Sequence, residues 1–592
     1  MNILLTIHQF LPEYFSGTEI LTFSVAKELL RRGHRVGVLT GFPGRDDLPE
    51  RARFDEYKIE GIDVFRFHHA FVPIGEQTTP SEIEYNNRLA ARHFAELLQR
   101  IKPDIVHFFH FSRLGTSLID VAAAAAVPAY YTPTDFWSVC RTCQLMLEDG
   151  RMCRGPSRYG GNCVKHIASI SPEHHKAARI ARFVPDILAD VFVKLTVMGV
   201  LPNYKDSREV AAVGQRKSFN VTRLNALHGI VAPTKLMREI LTANGVDDRL
   251  ISHAAYGIDI AGYQSRIRKV GKSSVITFGF IGTLMQHKGC HILVDAFRRL
   301  GSGRAKLRIY GRTTDDPAYI DALQRMAAEV NSIEFCGTFP NDQMAEVMAG
   351  LDVLVIPSIW YENSPLVIYS ALAAKCPVIA SDFPGMSEVV RDGWNGLTFR
   401  PRDVQNLHEK LVSIINDPVL LELLSTNCAP PKSTSKYVDE LLALYANRHS
   451  VLAGRGEFAG RQTIKPLENY VSTGYISGWS FADFDAPARV SILKDDIVLG
   501  QADEFRPRPD VRESMRKHWE RIDEERNGFF VMFPLNTNRA EAIVRIEAKD
   551  GRLIELPLKD ITCGVAMHIS GGDFFAIDEE RFEKAGNAIA VG

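Results

Sequence analysis

Short apolar runs alternate with helical patterns through the first 430 residues: "NILLTIH", "RVGVLTG", "DIVHFFH", "AYYTPTD" and "GIVAPT", then "VITFGFIGT", "KLRIYG", "IEFCGT", "LDVLVIPS" and "PVIAS". That rhythm predicts parallel sheets flanked by helices. The alternation breaks around 138–220 and restarts at Ser274 after the basic stretch "YQSRIRKVGKSS". Two doubly wound α/β domains are therefore expected, 1–262 with an insertion at 138–220, and 263–450. The second would include a return helix near Ser435–Asn447, able to pack on either domain. From 463 the texture becomes short alternating runs, with Asp495-Asp496 and Asp550-Gly551 where hairpin turns belong. Residues 463–560 thus read as a β-sandwich-like module, and 561–592 as a tail without a readable pattern.

At 592 residues the chain is too long for one core. Its 70 basic and 71 acidic side chains give no nucleic-acid signature. The charge is uneven, however: Arg141–Arg223 holds 14 Lys plus Arg against 7 Asp plus Glu, a net +7, which leaves −8 for the rest of a chain of net −1. An anionic partner or a solvated basic face would each account for it. "MNILLTIHQF" lacks a charged leader and reads as a buried strand, and "FVPDILADVFVKLTVMGVLP" is interrupted by Pro185, Asp186, Asp190 and Lys194. A cytoplasmic chain is expected. Four of nine cysteines crowd into 140–163, which in a reducing compartment suits metal better than disulfides.

In "LDVLVIPSIWYENSPLVIYSALAAK" a strand ends near Pro357 and a helix is expected with Ser364 as N-cap and Pro365 first. Ligands in open α/β sheets lie at the carboxyl ends of strands, where free helix N–H groups attract an anion such as a diphosphate. Glu362 would stand beside that anion, suited to accept hydrogen bonds from sugar hydroxyls; a solvent-facing loop Glu is the plainer reading. "FGFIGTLMQHKGCHILVDAF" adds a glycine turn at Gly282 and a cation at Lys288.

Together with "PVIASDFPGMSEVVRDGWNGLTF", these segments resemble the retaining, two-Rossmann-domain (GT-B) glycosyltransferases of family 4, over about residues 1–430. The fold implied is α/β, two Rossmann-like domains plus the C-terminal all-β module. The resemblance implies a nucleoside-diphosphate sugar as donor, with no catalytic metal. Its E-x7-E pattern places Glu362 on the transferred sugar and the ribose position on Ser370, a serine where relatives carry a carboxylate. Lys288 matches the family lysine, while Thr283 stands where many relatives carry an arginine. Gly282, Asn363, Ser364 and Leu366 complete the implied donor site, Gly385 and Glu388 match the following loop, and Gly337 to Phe339 would lie near the base.

On the acceptor side, "FSGTEILTFSVAKELLRRGHRV" resembles the family's glycine loop, with Gly17 at the donor phosphates and Glu19 starting the helix. "PDIVHFFH" offers His107 and His110 to the cleft, or to the core. "YYTPTDFW" matches a segment that often reads His-Asp; here Thr134 precedes Asp135, which is expected to bind an acceptor hydroxyl.

The spacing C-x2-C-x9-C-x9-C-x2-H in "CRTCQLMLEDGRMCRGPSRYGGNCVKH" suits a structural Zn²⁺ on Cys140, Cys143, Cys153 and Cys163, with His166 as alternative ligand and an iron–sulfur cluster as another occupant. The stretch His174–Leu201 reads either as a membrane-surface segment serving a lipid-linked acceptor or as a buried helix hairpin. "YISGWSFAD" and "FRPRPDV" look like an accessory domain of bacterial polysaccharide enzymes. The expected function is sugar transfer to a cell-surface polysaccharide, lipopolysaccharide or lipid-linked glycan at the inner face of the membrane. The alternatives are a non-catalytic glycan- or partner-binding relative, or another GT-B nucleotide-sugar enzyme such as an epimerase.

Overall fold

The run Asn2–Ile7 forms strand β1, flanked by β2 (Arg35–Pro43) and β5 (Ile105–Phe108) in parallel register. With β3 (Phe54–Ile59), β4 (Ile62–His69), β6 (Ala129–Tyr131), β7 (Gly229–Ala232) and β8 (Ile251–His253), it makes an eight-stranded sheet in the order β3-β4-β2-β1-β5-β6-β7-β8. The β3–β4 pair is antiparallel and every other pair parallel. A second, all-parallel sheet holds β9 (Ile276–Ile281), β10 (Ala305–Tyr310), β11 (Ile333–Gly337), β12 (Val353–Ile356), β13 (Val378–Ser381) and β14 (Gly396–Phe399) in the order β11-β10-β9-β12-β13-β14. Strands β5, β7, β12 and β13 are buried at every position. Continuous apolar runs in the sequence follow from that double-sided burial.

This computed structural model describes residues 1–446 apart from 45, 172, 174–180, 182, 264–274 and 302, and ten strands between 473 and 590. The chain divides into the units Met1–Tyr445 and Ala446–Gly592. Both lobes of the GT-B-like α/β fold therefore lie in the first unit.

The return helix, Thr434–Ala446, packs on the first lobe. Its Tyr445 hydroxyl bonds His107 Nδ1 at 2.7 Å, and Arg32 reaches Asp439 at 2.5 Å and the Ser435 carbonyl at 2.7 Å. The insertion between β6 and β7 carries helices Gly161–Ile170, Asp186–Val197 and Ser207–Leu224. Of the stretch His174–Leu201, residues 174–180 and 182 lie outside the described residues.

In the second unit Arg489–Lys494 pairs antiparallel with Ile497–Ala502, and Ala542–Glu547 with Leu553–Pro557. Both expected hairpin dipeptides thus fall between paired strands. The β structure runs past 560: Val565–Ser570 pairs with Asp573–Asp578, so the expected patternless tail contains a third antiparallel sheet. Its first strand, "VAMHIS", carries the period-2 pattern, while "DFFAID" is a short apolar run between aspartates.

Candidate active site

The carboxyl ends of the two sheets face one another. Asn363, after β12, accepts from Thr234 Oγ1 at 3.0 Å and donates to the Pro133 carbonyl at 2.9 Å, both on the other lobe. Glu388, after β13, accepts from the Lys235 and Leu236 N–H groups at 2.7 and 2.9 Å, capping the helix Lys235–Ala243 across the gap. His287 and Gln144 meet at 3.3 Å. Asn363 thus spends its amide on lobe contacts, with its side chain buried, instead of facing an open pocket.

Glu362 is buried on the loop between β12 and the helix Leu366–Ala373. Its Oε1 accepts from Lys288 Nζ at 2.8 Å, Ser358 Oγ at 2.7 Å and Trp360 Nε1 at 2.9 Å. Burial alone would push this carboxyl up; the Lys288 charge and the three hydrogen bonds outweigh it and hold it below the usual range. Lys288 also lies 5.1 Å from the centre of the Trp360 ring. Two glycines make this packing feasible. Gly289 has φ +72°, and a Cβ there would fall 1.9 Å from the Pro357 carbonyl oxygen; a Cβ on Gly385 would fall 1.9 Å from that of Glu362. Ser358 and Trp360 carry no motif, and only the fold shows them as partners of Glu362.

The helix starts one residue later than its sequence suggests. Pro365 flanks it, and the Ser364 hydroxyl bonds Tyr369 OH at 2.7 Å instead of a backbone amide, so Ser364 is not the cap. Ser364 sits at φ +119°, a region that costs a side-chain-bearing residue about 1–3 kcal/mol. The neighbouring Asn363 contacts and the following proline hold it there. Leu366 begins the helix and is half-buried. Ser370 is buried beside the equally buried Tyr263, a residue the sequence did not flag. Gly282 and Thr283 follow β9, Thr283 exposed; Gly17 opens the helix Gly17–Arg31 with nothing within 4 Å of a Cβ built on it.

On the facing lobe, Asp135 accepts from His110 Nε2 at 2.9 Å and from the Trp137 N–H at 2.8 Å. His110 Nδ1 accepts from the Ser112 N–H at 3.0 Å, which leaves Nε2–H to donate. Burial would raise the Asp135 carboxyl, but the His110 ring, the Trp137 N–H and the Cys143 thiol hold it below its ordinary value. Thr134 turns away and donates to the Phe109 carbonyl at 3.2 Å. His8 stacks on His110 with ring centres 4.0 Å apart, and burial pushes its pKa well down.

Two acceptor-side expectations change. His107 is fully buried, with Nε2 on Thr132 at 2.8 Å and Nδ1 on Tyr445, so it belongs to the core beneath the return helix. Glu19 is fully buried as the N3 residue of a capping box: Oε2 accepts from Ser16 N and Oγ at 3.0 and 2.5 Å, and Oε1 from Gln9 at 2.7 Å.

Among the described residues, no three His, Cys, Asp or Glu side chains are grouped so as to hold a metal. Cys140, Cys153, Cys163 and His166 line one small cavity. Cys143, at φ +64°, does not line that cavity, and its thiol points to the Arg141 carbonyl at 3.9 Å. The expected ligand set of Cys140, Cys143, Cys153 and Cys163 is corrected on that point: Cys143 stands outside the cavity that holds the other three.

Comparisons with known proteins agree with this layout. Residues 275–417 match the family model described as glycosyl transferases group 1, and residues 15–158 match that of glycosyltransferase family 4. Each lobe therefore matches a glycosyltransferase family model over part of its length. The chain is 27% identical over 255 residues to the glycogen synthase of Mycobacterium tuberculosis, covering 42% of this chain and 59% of that protein. It is 27% identical over 247 residues to the D-inositol 3-phosphate glycosyltransferase of Nocardia farcinica, covering 38% and 54%. The chain thus spans little more than half the length of these curated relatives. The crystal structure of Anabaena Alr3699/HepE with UDP and glucose aligns over 76% of this chain and 99% of that one, at 17% identity and a TM-score of 0.47.

Proposed function

We propose that the protein transfers a sugar from a nucleoside-diphosphate sugar to a hydroxyl of a cell-surface or lipid-linked glycan, with retention at the anomeric carbon. The observation that carries this reading is the Lys288–Glu362 pair, set at the mouth of the helix Leu366–Ala373 and opposite Asp135 and His110. The diphosphate would take the Lys288 charge and the free N–H groups at that helix start, near Gly282 and Gly17. Glu362 Oε2, which takes no hydrogen bond among the described residues, would accept from the sugar hydroxyls. The bond between the anomeric carbon and the phosphate oxygen breaks, and its electron pair leaves with the diphosphate. The acceptor oxygen then bonds the same face of the oxocarbenium-like carbon, and its proton passes to the departing phosphate oxygen. Asp135, oriented by His110, positions the acceptor. A structural zinc would draw on Cys140, Cys153, Cys163 and His166.

The test is incubation of the full chain with UDP-, GDP- and ADP-sugars and glycan acceptors, with the product anomer read by NMR. Acceptor-dependent transfer with retention is expected. Conversion of the sugar without an acceptor would replace this reading with an epimerase. The burial of Ser370 and Tyr263 where a ribose-binding carboxylate is expected favours a second reading, a binding protein whose ribose site is closed. Glycan binding with neither nucleotide binding nor turnover would establish that one.

A further inference from the structure

Eight of the sixteen exposed large apolar side chains among the described residues fall within 183–200, in the insertion. Helix Asp186–Val197 buries Ala189 and Val193, the latter against Gly214 of helix Ser207–Leu224. Its other face carries Ile187 (73% exposed), Leu188 (57%), Val191 and Phe192, at i, i+1, i+4 and i+5. Phe183 (75%) and Met198 (63%) extend the stripe at both ends. A surface helix ordinarily buries its apolar stripe and leaves polar residues outward. Here one side is open, and a contiguous exposed patch of this kind marks an interaction surface.

The rim identifies the partner. Lys194 and Arg158 both lie over the Tyr159 ring, at 5.4 and 5.5 Å. Tyr204 contacts Phe192 with ring centres 5.5 Å apart and is followed by exposed Lys205. Tyrosines with cations at the edge of an apolar face are the arrangement of a helix lying in a bilayer interface. Of the nearby acids, Asp186 is paired with Lys165 and Asp190 is turned inward onto Ser157 and two backbone N–H groups; Asp206 and Glu209 lie at the start of the next helix. Residues 141–223 keep a net +7, from 14 basic and 7 acidic side chains. A second copy docked on the same face would bring like-charged rims together, because a two-fold interface repeats one patch on both sides. The helix has 12 residues, roughly 18 Å, and no helix of the described residues is long and apolar enough to cross a membrane.

We propose that helix Asp186–Val197 with its flanks is a peripheral docking face for an anionic lipid surface. The face is linked to the candidate site, since Arg216 of the adjoining helix bonds the Trp137 carbonyl and lies 4.7 Å from the centre of its ring, two residues from Asp135. The inference does not rest on the transferase reading, and its test needs no turnover.

The full chain is mixed with vesicles of phosphatidylcholine alone or with 30% phosphatidylglycerol, at low and physiological salt, and sedimented. Binding to the anionic vesicles is expected at least tenfold stronger, weakening with salt. Ile187→Ser/Leu188→Ser and Lys194→Ala/Lys205→Ala should each reduce it about tenfold with unchanged melting temperature. Leu188→Trp supplies a reading independent of sedimentation, its emission shifting blue on the anionic vesicles. No sedimentation and no shift at low salt would overturn the proposal. So would a wild-type dimer that Ile187→Ser/Leu188→Ser converts to monomer, which would make the face an interface between copies.

Discussion

Lys288 Nζ stands 2.8 Å from Glu362 Oε1, so the cation proposed for the leaving diphosphate and the carboxylate proposed for the sugar form one ion pair before any donor is bound. Their link fixes the distance between the two ends of the donor that they would serve. Lys288 has further N–H groups for phosphate, and Glu362 keeps Oε2. The pair therefore does not have to break for the donor to enter.

Glu362→Gln is expected to lower kcat by about 10²–10³, the scale for loss of one preorganised electrostatic contact. Nucleotide affinity should stay within a few-fold, because Gln retains an acceptor for Ser358 and Trp360. Lys288→Ala removes the cation from a buried carboxylate and should cost about 1.5–3 kcal/mol of stability in addition to activity. Urea denaturation beside steady-state kinetics separates the two effects. A Lys288→Ala protein of full stability and full activity would remove the pair from the site.

Ser370 and Tyr263 occupy the place where a ribose-binding carboxylate is expected. Ser370→Glu should tighten nucleoside-diphosphate binding by about 1.5–3 kcal/mol if the carboxylate displaces the tyrosine hydroxyl and takes the ribose. Tyr263→Phe, which removes the hydroxyl beside Ser370, should change affinity by less, about 0.5–1.5 kcal/mol. Calorimetry with UDP, GDP and ADP measures both. Identical affinities in the wild type and Ser370→Glu would put the ribose elsewhere.

Both sheets were legible because their buried strands are continuous apolar runs broken by glycine turns, a signal carried within a few residues. The partners of the site residues were not, because they come from remote segments. Whether His107 or His110 faces the cleft depends on strand pleat and on Tyr445, 338 residues further on. Glu19 reads equally as a ligand and as a capping-box residue until Ser16 is seen to fill Oε2. The C-x2-C spacing suggests that Cys140 and Cys143 share a metal, yet Cys143, at positive φ, lies outside the cavity lined by Cys140 and directs its thiol to the Arg141 carbonyl. Ser364 looked like a cap beside Pro365, but the Asn363 contacts to the other lobe hold the turn in a different conformation.

His110 holds Asp135 through Nε2 and is itself held by the Ser112 N–H. His110→Ala should lower kcat by about 10²–10⁴ and raise the acceptor KM, leaving nucleotide binding unchanged because every donor group but Gly17 lies on the other lobe. His110→Gln, which can still donate to Asp135, should recover part of the loss. If alanine and glutamine are equally impaired and both lose thermal stability, the ring serves packing alone.

Cys140, Cys153, Cys163 and His166 share a cavity, with the Cys163 thiol pushed up to about 12 by burial and by the two other thiols. Thiols that would otherwise stay protonated lose their protons when zinc binds. If zinc draws these side chains together, elemental analysis of the purified chain will find about one zinc per chain, retained in Cys143→Ser and lost in Cys153→Ser and Cys163→Ser. Absence of metal from protein prepared with zinc in the medium would leave these four side chains as packing.

Three histidines, His107 fully buried and His69 and His287 partly so, set an acid limit on stability. Burial is the first cause in each case, aided at His69 by Arg113 and at His287 by Lys288; His69 and His287 are lowered to about 4 and His107 to about 3. Each is neutral in the folded chain at pH 5, whereas the unfolded chain, titrating near 6.5, has taken up the proton. Unfolding therefore binds protons, and stability falls as pH drops from about 6.5 toward the folded values, by about 1.4 kcal/mol per pH unit for each histidine. Between pH 7 and 5 the three together should cost several kcal/mol, before the carboxyls of Glu362 and Asp135, also held low, begin to titrate. Chemical denaturation at pH 7, 6 and 5 gives the slope, and His107→Gln, which can still bond Thr132 or Tyr445, should remove about a third of it. A flat profile over that range would mean that these rings reach water in the folded chain.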